Sequence, residues 1–285
     1  MIKRNLTLYW KDKMGVVFSL LGVLVIILLY AVFLSDSLEG ELSVLEKPRL
    51  GVDLWLTAGI LQVASVTTSM GSLNILIQDR LGGKRNDFYM LPMGKRRISL
   101  SYFLSAYIVG LMMTLVTFVF CAVYLYVCHG FLLDMAFACQ VLLLTGLTSF
   151  TSTAISYTIV SFLSSNGAFS AVSAIIGTLI GFLTGIYFPI GDVADPVQKL
   201  MTLFPLSHGA SLYRKIFMAD IIRTDFKAVP AKSLQLFTRT LGIDLFWEDR
   251  GLSALFSVGY LLVFGVMLTV LTGFMMKKRD DTDLP

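Results

Sequence analysis

One long stretch without charge constrains the fold of this chain more than any other feature. Residues 135–191 contain no Asp, Glu, Lys or Arg. As a single helix this stretch would be roughly 85 Å long at about 1.5 Å per residue, nearly three times the hydrocarbon core of a bilayer. The chain must therefore cross the membrane, turn and cross back, and the turn-like segment 164–167 lies near the middle of the stretch.

Four further uncharged runs are long enough to span a bilayer, so the sequence predicts six transmembrane helices. The chain is 56% hydrophobic and 15% charged, whereas about 25% of residues are charged in soluble domains. We expect an all-α polytopic membrane protein that forms a single domain over residues 1–285, with spans at about 14–35, 54–78, 100–128, 135–163, 168–190 and 252–276. The first span is too long for a signal peptide.

The distribution of basic residues predicts the orientation. The N-terminal segment and the loop at residues 79–97 are rich in Lys and Arg, whereas the loop between the first two spans is mainly acidic. By the positive-inside rule, we expect both termini and the loop at 79–97 to be cytoplasmic. The outer loop at 191–250 is long enough to escape this rule.

Three segments outside the spans have helical patterns. Residues 1–13 alternate basic and apolar positions, which suits an interfacial helix, although an unstructured basic flank would also give the orientation signal. The loop at 79–97 mixes acidic, aromatic and basic residues, as a docking site for a soluble partner would. The outer loop at 191–250 is too long to be structureless in a compact protein, and its apolar periodicity predicts short helices that dip against the outer leaflet.

Polar and small residues form stripes on two spans. On the second span the stripe includes Gln62, Ser65, Ser69 and Ser72, and it must face protein or water because lipid cannot satisfy its hydrogen bonds. Close helix packing and the lining of a passage both fit this stripe. On the fifth span, a repeated small-residue pattern predicts helix packing, including packing against a second copy, at Gly177, Gly181 and Gly185.

The sequence has little catalytic chemistry of its own. The predicted spans contain no Asp, Glu, Lys or Arg, which argues against a carrier coupled to protons or sodium ions. His129 and Asp134 match an HxxxxD acyltransferase pattern only within an apolar hairpin, and two histidines are too few for a His-rich metal cluster or an HExxH protease motif. Gly83-Lys84 lacks the rest of a P-loop. Cys121, Cys128 and Cys139 lie in or near spans without a CxxC motif, which indicates packing rather than a metal site or disulfide.

Three short motifs, in order along the chain, resemble the permease subunits of ATP-binding-cassette exporters of the ABC-2 type. These permeases begin with an amphipathic cytoplasmic helix, which residues 1–13 would match. Their first cytoplasmic loop has an acidic-Arg pair, a Gly, a short helix and then a Pro followed by basic residues, as residues 79–84 and 91–96 do. Between their fifth and sixth spans, Pro-containing motifs occur, as at residues 188–190 and 204–210.

The resemblance implies a role for each matching segment. Residues 1–13 would form an elbow helix, and the loop after the second span a short coupling helix that seats in the ATPase, through Asp79, Arg80, Gly82, Lys84, Asp87, Phe88 and Tyr89. Lys84, Arg85 and Asn86 stand where some relatives have Glu-Arg. The outer loop would form re-entrant helices that cap the exit, with Phe188, Pro189, Pro205, Tyr213 and Arg214 in the exit region.

The resemblance also implies the function. We expect a permease that exports an amphipathic drug, peptide or lipid-like molecule, that is not itself an enzyme, and that binds no nucleic acid. Its partners would be a soluble ATPase carrying ATP and Mg, a second permease copy or a paralogue, and membrane lipid, with no cofactor and no metal on this chain. The alternative from a different class is a non-transporting integral membrane enzyme or sensor scaffold.

Overall fold

The computed structural model describes residues 1–30, 40, 42, 44–84, 88, 94–227, 230–247 and 250–282, most of them in helices. In chain order the helices are α1 Ile2–Lys11, α2 Lys13–Ser19, α3 Leu21–Leu29, α4 Pro48–Ser72, α5 Asn74–Leu81, α6 Lys95–His129, α7 Met135–Phe162, α8 Asn166–Leu183, α9 Asp195–Leu203, α10 Pro205–Phe217, α11 Ala219–Asp225, α12 Ala231–Thr240 and α13 Ala254–Thr282. A 3-10 helix covers Ile190–Asp192, and two short strands, β1 Phe246–Trp247 and β2 Arg250–Gly251, pair antiparallel before α13.

Five helical segments in the described part of the chain are long and apolar enough to cross a membrane. They cover residues 48–81 (α4 and α5 together), 96–129, 135–162, 166–183 and 254–274. The predicted first span, 14–35, begins with α2 and α3, and its last five residues lie outside the described ranges. The chain is therefore a mostly helical, multi-pass membrane protein.

Helix α4 lies at the centre of the bundle, where it contacts α2, α3, α6, α7, α8 and α10. In the most apolar stretch of the α4–α5 segment about 78% of the residues are buried, whereas 17% are buried in the corresponding stretches of α8 and α13. Trp55 is fully buried, and its indole Nε1 donates a hydrogen bond to the Leu241 carbonyl oxygen at 2.8 Å. The peripheral helices α8 and α13 leave apolar faces exposed, as suits contact with lipid.

Four short helices, α9 to α12, connect α8 to α13. Pro196 and Pro205 stand in the first turns of α9 and α10. Proline fits there because a backbone N–H in the first turn has no acceptor within the helix. Helix α10 enters the bundle and contacts α4, α7 and α13, so that most of its side chains are buried. The connection between α8 and α13 thus supplies part of the bundle interior.

The structure corrects the expectation that the bundle buries no ionisable residue. Helix α4 begins at Pro48, six residues before the predicted start at 54, and α5 continues to Leu81. As a result Asp53 and Asp79 are both 3% exposed, and α10 buries Arg214 completely. Hydropathy places span ends at the first charge, whereas a helix continues past a charge that has a partner inside the protein.

The three glycines predicted to share one helix face occupy different surroundings. Helix α8 ends at Leu183, so Gly185 lies beyond it, with a φ of +63° that favours glycine. A Cβ added at Gly181 would collide with the Tyr187 ring, whereas one at Gly177 would meet no atom within 4 Å. Within the described chain, only Gly181 of these three is a close-packing position on α8.

Candidate functional site

Hydroxyl and amide side chains form a continuous polar contact between α4 and α7, which we call the polar seam. Ser65 Oγ lies 2.8 Å from Ser152 Oγ, and Ser69 Oγ lies 3.0 Å from Thr153 Oγ1. The Gln62 amide Nε2 donates to Ser65 Oγ at 3.3 Å and lies 3.5 Å from Ser152 Oγ. All of these side chains are fully buried.

Helix α10 extends the polar seam. The Tyr213 hydroxyl donates to Thr145 Oγ1 at 2.9 Å and lies 2.9 Å from Thr148 Oγ1, so it contacts two successive turns of α7. Gly209 lies directly against Gln62, since a Cβ at this position would collide with the Gln62 Oε1 atom. No donor among the described residues reaches that buried oxygen.

All four residues of the predicted stripe therefore bond to other groups of the same chain. Three of them face α7, and the hydroxyl of Ser72 donates to the Ser69 carbonyl oxygen at 2.8 Å on its own helix. Small hydroxyl residues allow the two helices to approach closely. The seam as described is a closed interhelical contact, and a passage along it would require α4 and α7 to separate.

A second polar cluster joins the N-terminal helix to the end of α5, and we call it the Asp79 joint. Arg4 donates from Nη1 to Asp79 Oδ2 at 2.6 Å and from Nη2 to Oδ1 at 2.7 Å. The Tyr102 hydroxyl of α6 donates to Oδ2 at 2.7 Å. A bidentate Arg–carboxylate pair is among the stronger and more directional contacts in proteins. The hydrogen bonds to Asp79 raise the pKa of Arg4 above its ordinary value.

Neighbouring contacts extend the Asp79 joint. Asn5 is buried and donates from Nδ2 to Ser105 Oγ of α6 at 3.2 Å. The Arg4 guanidinium carbon lies 5.0 Å from the centroid of the Phe88 ring, within the range of a cation–π contact. Helix α1 is thereby connected to α5, to α6 and to Phe88, which follows α5 in the sequence.

The remaining residues of the predicted coupling segment lie at the bundle end. Arg80 donates from Nη1 to the carbonyl oxygen of Leu163, at the end of α7. Gly82 ends α5, and Lys84 is exposed. Asp87 and Tyr89, which also belong to the predicted set, lie outside the described residues. Asp79 itself faces the interior of the chain, where Arg4 and Tyr102 occupy its carboxylate.

The predicted exit region contains a buried arginine. Arg214 donates from Nη2 to the Gly185 carbonyl oxygen at 2.7 Å and from Nη1 to that of Gly242 at 3.5 Å. Its guanidinium carbon lies 4.5 Å from the centroid of the Trp55 ring. Arg214 thus connects α10 to α4 and to two turns of the connection between α8 and α13.

The other exit residues lie around Arg214 without forming one cluster. Tyr213 points to the polar seam, whereas Pro205 begins α10. Pro189 precedes the 3-10 helix, and the Phe188 ring packs 5.6 Å from that of Phe182. Of these five described residues, only Arg214 places a charged group against both α4 and the connection between α8 and α13.

Sequence reasoning missed the pairing of His129. Its Nε2 atom lies 2.6 Å from the Oδ2 atom of Asp53. The hydropathy pattern places Asp53 in the loop before the second predicted span. Asp134, the other half of the HxxxxD pattern, accepts from the Met135 N–H at 2.7 Å and caps α7 instead. The structure therefore does not bring His129 and Asp134 together. In the described residues no group of three or more His, Cys, Asp or Glu could hold a metal ion.

Comparison with known proteins supports the resemblance seen in the motifs. Residues 50–274 match a family described as ABC-2 family transporter protein. A search of the curated proteins gave no match. The matched region runs from the first turns of α4 into α13, and so it includes both the polar seam and Asp79. Because the match covers well over half of the chain, this protein belongs to the ABC-2 family of transporter membrane proteins.

Proposed function

We propose that this chain is the membrane-spanning permease subunit of an ATP-driven exporter. It pairs with a separate soluble ATPase and with a second permease copy or a paralogue, and ATP and Mg bind to the ATPase. Membership of the ABC-2 family supports the permease role. The observation that carries the coupling mechanism is the Asp79 joint, which connects the N-terminal helix, the proposed docking segment and a long bundle helix through one carboxylate.

In this proposal the Asp79 joint transmits motion of the docking segment to α1 and α6. The ATPase seats against the segment that begins at Asp79 and includes Lys84 and Phe88. When the ATPase closes on ATP, the displacement of this segment is passed to α1 through Arg4 and to α6 through Tyr102. Charge-assisted bonds hold these three elements in one arrangement, so they move as a unit rather than independently.

The polar seam is the proposed path of the substrate. Motion of α4 away from α7 would expose the hydroxyl groups of both helices together with the Gln62 amide, while leaving apolar walls. Such a surface suits an amphipathic molecule, such as a drug, peptide or lipid-like compound, better than a bare ion. Gln62 Oε1, which accepts from no donor in the described part of the chain, supports this proposal because it is an acceptor that a substrate donor could satisfy.

The termini and the docking segment are proposed to be cytoplasmic, in a bacterial plasma membrane. The basic N-terminal segment and the basic loop after α5 support this orientation. With the native cysteines replaced, a cysteine at Lys84 should react with an impermeant maleimide only after cell lysis. A cysteine at Lys232 should react in intact cells. Both side chains are exposed, so the reverse pattern would contradict the proposed orientation.

The Asp79 joint predicts a charge-swap result. Arg4→Asp and Asp79→Arg should each reduce co-purification of the ATPase, or uncouple ATP hydrolysis from export. Hydrogen bonds to charged groups contribute roughly 1.5–3 kcal/mol, which corresponds to a loss of about 10- to 150-fold in the affected equilibrium. The double variant should recover part of this loss, because the pair is restored while the Tyr102 hydroxyl loses its carboxylate acceptor. Pull-down and coupled ATPase assays measure both effects.

Lys3→Asp provides a matched control for the Asp79 joint. Lys3 is exposed on the same helix as Arg4, so this variant makes the same change in charge without touching the joint. It should retain the ATPase. Equal losses for Lys3→Asp and Arg4→Asp would show that the charge of α1 matters and that its contact with Asp79 does not.

The polar seam predicts a transport phenotype without loss of assembly. Gln62→Ala should change the stimulation of ATPase activity by substrate severalfold, because it removes both the unpaired acceptor and a contact with Ser152. Thr67→Ala is the control, since Thr67 lies on α4 and, among the residues that the structure describes, its hydroxyl bonds only to carbonyl oxygens of its own helix. Parental stimulation and export by Gln62→Ala would assign the seam to packing alone.

A further inference from the structure

Three buried polar atoms on α4 and α7 have no hydrogen-bond partner within the described chain. They are the Oε1 atom of Gln62 on α4 and the Oγ atoms of Ser149 and Ser156 on α7. All three residues are at most 1% exposed. Buried polar groups in native proteins are rarely unpaired, so atoms of this kind indicate a site for water or for a ligand.

The two unpaired hydroxyl groups lie on the face of α7 that contacts α4. Residues 149, 152, 153 and 156 follow the spacing i, i+3, i+4 and i+7, which places them on one side of a helix. Two residues of this face, Ser152 and Thr153, bond to serines of α4. Ser149 and Ser156 therefore belong to the polar seam, one before and one after its paired residues.

The unpaired atoms occupy two levels of the polar seam. Helices α4 and α7 run in the same direction, because the end of the α4–α5 segment contacts the end of α7. Ser65 and Ser152 pair with a sequence offset of 87 positions, and the same offset places Ser149 opposite Gln62. The Ser156 hydroxyl lies seven residues further along α7, which is about 10 Å at 1.5 Å per residue.

These groups require both donors and acceptors from a ligand. The Gln62 Oε1 atom only accepts, so it needs an N–H or O–H donor, whereas a serine hydroxyl can donate to a carbonyl oxygen. A backbone peptide group supplies both. A phosphodiester or a lipid ester supplies acceptors only, and a quaternary cation supplies neither.

The geometry of an extended peptide fits the two levels. The N–H and C=O of a trans peptide group point in opposite directions, as two partners on facing helices require. An extended chain advances about 3.3–3.6 Å per residue, so three residues cover about 10 Å. Residues 62–72 and 145–156 contain no Asp, Glu, Lys or Arg, which suits a segment without charged side chains.

We propose that the exported substrate is a peptide, and that an uncharged, extended segment of it binds between α4 and α7 when these helices separate. One peptide group donates its N–H to Gln62 Oε1 and accepts from the Ser149 hydroxyl. The Ser156 hydroxyl bonds to a peptide group about three residues further along. This inference rests on the permease function proposed above and specifies its substrate class.

The complex of this permease with its ATPase, in lipid nanodiscs, tests the substrate class with three probes. They are a capped hexapeptide of alternating alanine and leucine, its depsipeptide analogue with ester oxygens in place of backbone N–H groups, and tetraphenylphosphonium, an amphipathic cation without hydrogen-bonding groups. The hexapeptide should stimulate ATPase activity, whereas tetraphenylphosphonium should not. The depsipeptide should need a concentration about 10-fold higher than the hexapeptide, because Gln62 Oε1 then lacks a donor.

Ser149→Ala and Ser156→Ala test the two levels separately. Half-maximal stimulation by the hexapeptide should require severalfold more peptide in each variant. The melting temperature should not fall, because neither hydroxyl has a partner to lose within the described chain. Ser173→Ala is the matched control and should respond as the parent does. The Ser173 hydroxyl is also buried and has no partner among the described residues, but it lies on α8, outside the polar seam.

The outcomes separate the substrate class from the permease role. A complex that retains its ATPase but gives no response to the hexapeptide would overturn the peptide assignment and leave the permease role intact. Equal responses to the hexapeptide and the depsipeptide, or parental responses in both seam variants, would assign the unpaired atoms to bound water and overturn it as well. A chain that retains no ATPase would contradict the permease role itself, and the substrate assignment with it.

Discussion

A single buried carboxylate connects the N-terminal helix and α6 to the end of α5. Asp79 would be costly to bury alone, and it is tolerated at the end of α5 because Arg4 and Tyr102 together supply three hydrogen bonds. The side chains come from α1 and α6, so the position of the N-terminal helix depends on a residue 75 positions away in the sequence. The proposed docking segment follows directly, which is why its motion would not be confined to a loop.

The same principle operates through the rest of the bundle: polar groups determine which helices can be neighbours. Helix α4 occupies the centre because hydroxyl groups of α7 bond to Ser65 and Ser69 of its polar stripe, while Asp53 and Trp55 find partners near its other end. Helix α10 can enter the bundle because Tyr213 bonds to α7 and Arg214 bonds to backbone carbonyl oxygens. Lipid could satisfy none of these groups, so each contact favours burial between helices over exposure.

The sequence predicted the membrane class and the helical character, since long uncharged runs have few other solutions. The ABC-2 family was also predictable, from motifs whose order carries more information than any one of them. The buried charges were not. Asp53 and Asp79 lie at the two ends of an apolar run, where hydropathy predicts loop residues. Hydropathy does not include the effect of a partner such as His129 or Arg4, which stabilises the carboxylate inside the bundle. The position of Gly185 beyond α8 was hidden for a similar reason: spacing alone does not locate the end of a helix.

Hydrogen–deuterium exchange on the complex with its ATPase tests the central claim most directly. The account predicts that the amides of α1 and those of α5 through Lys84 are protected together when the ATPase is bound, and that Asp79→Asn removes the protection of α1 while the ATPase is held in excess. Protection of the docking segment with no change in α1, in the parent protein, would contradict the claim that the Asp79 joint couples them.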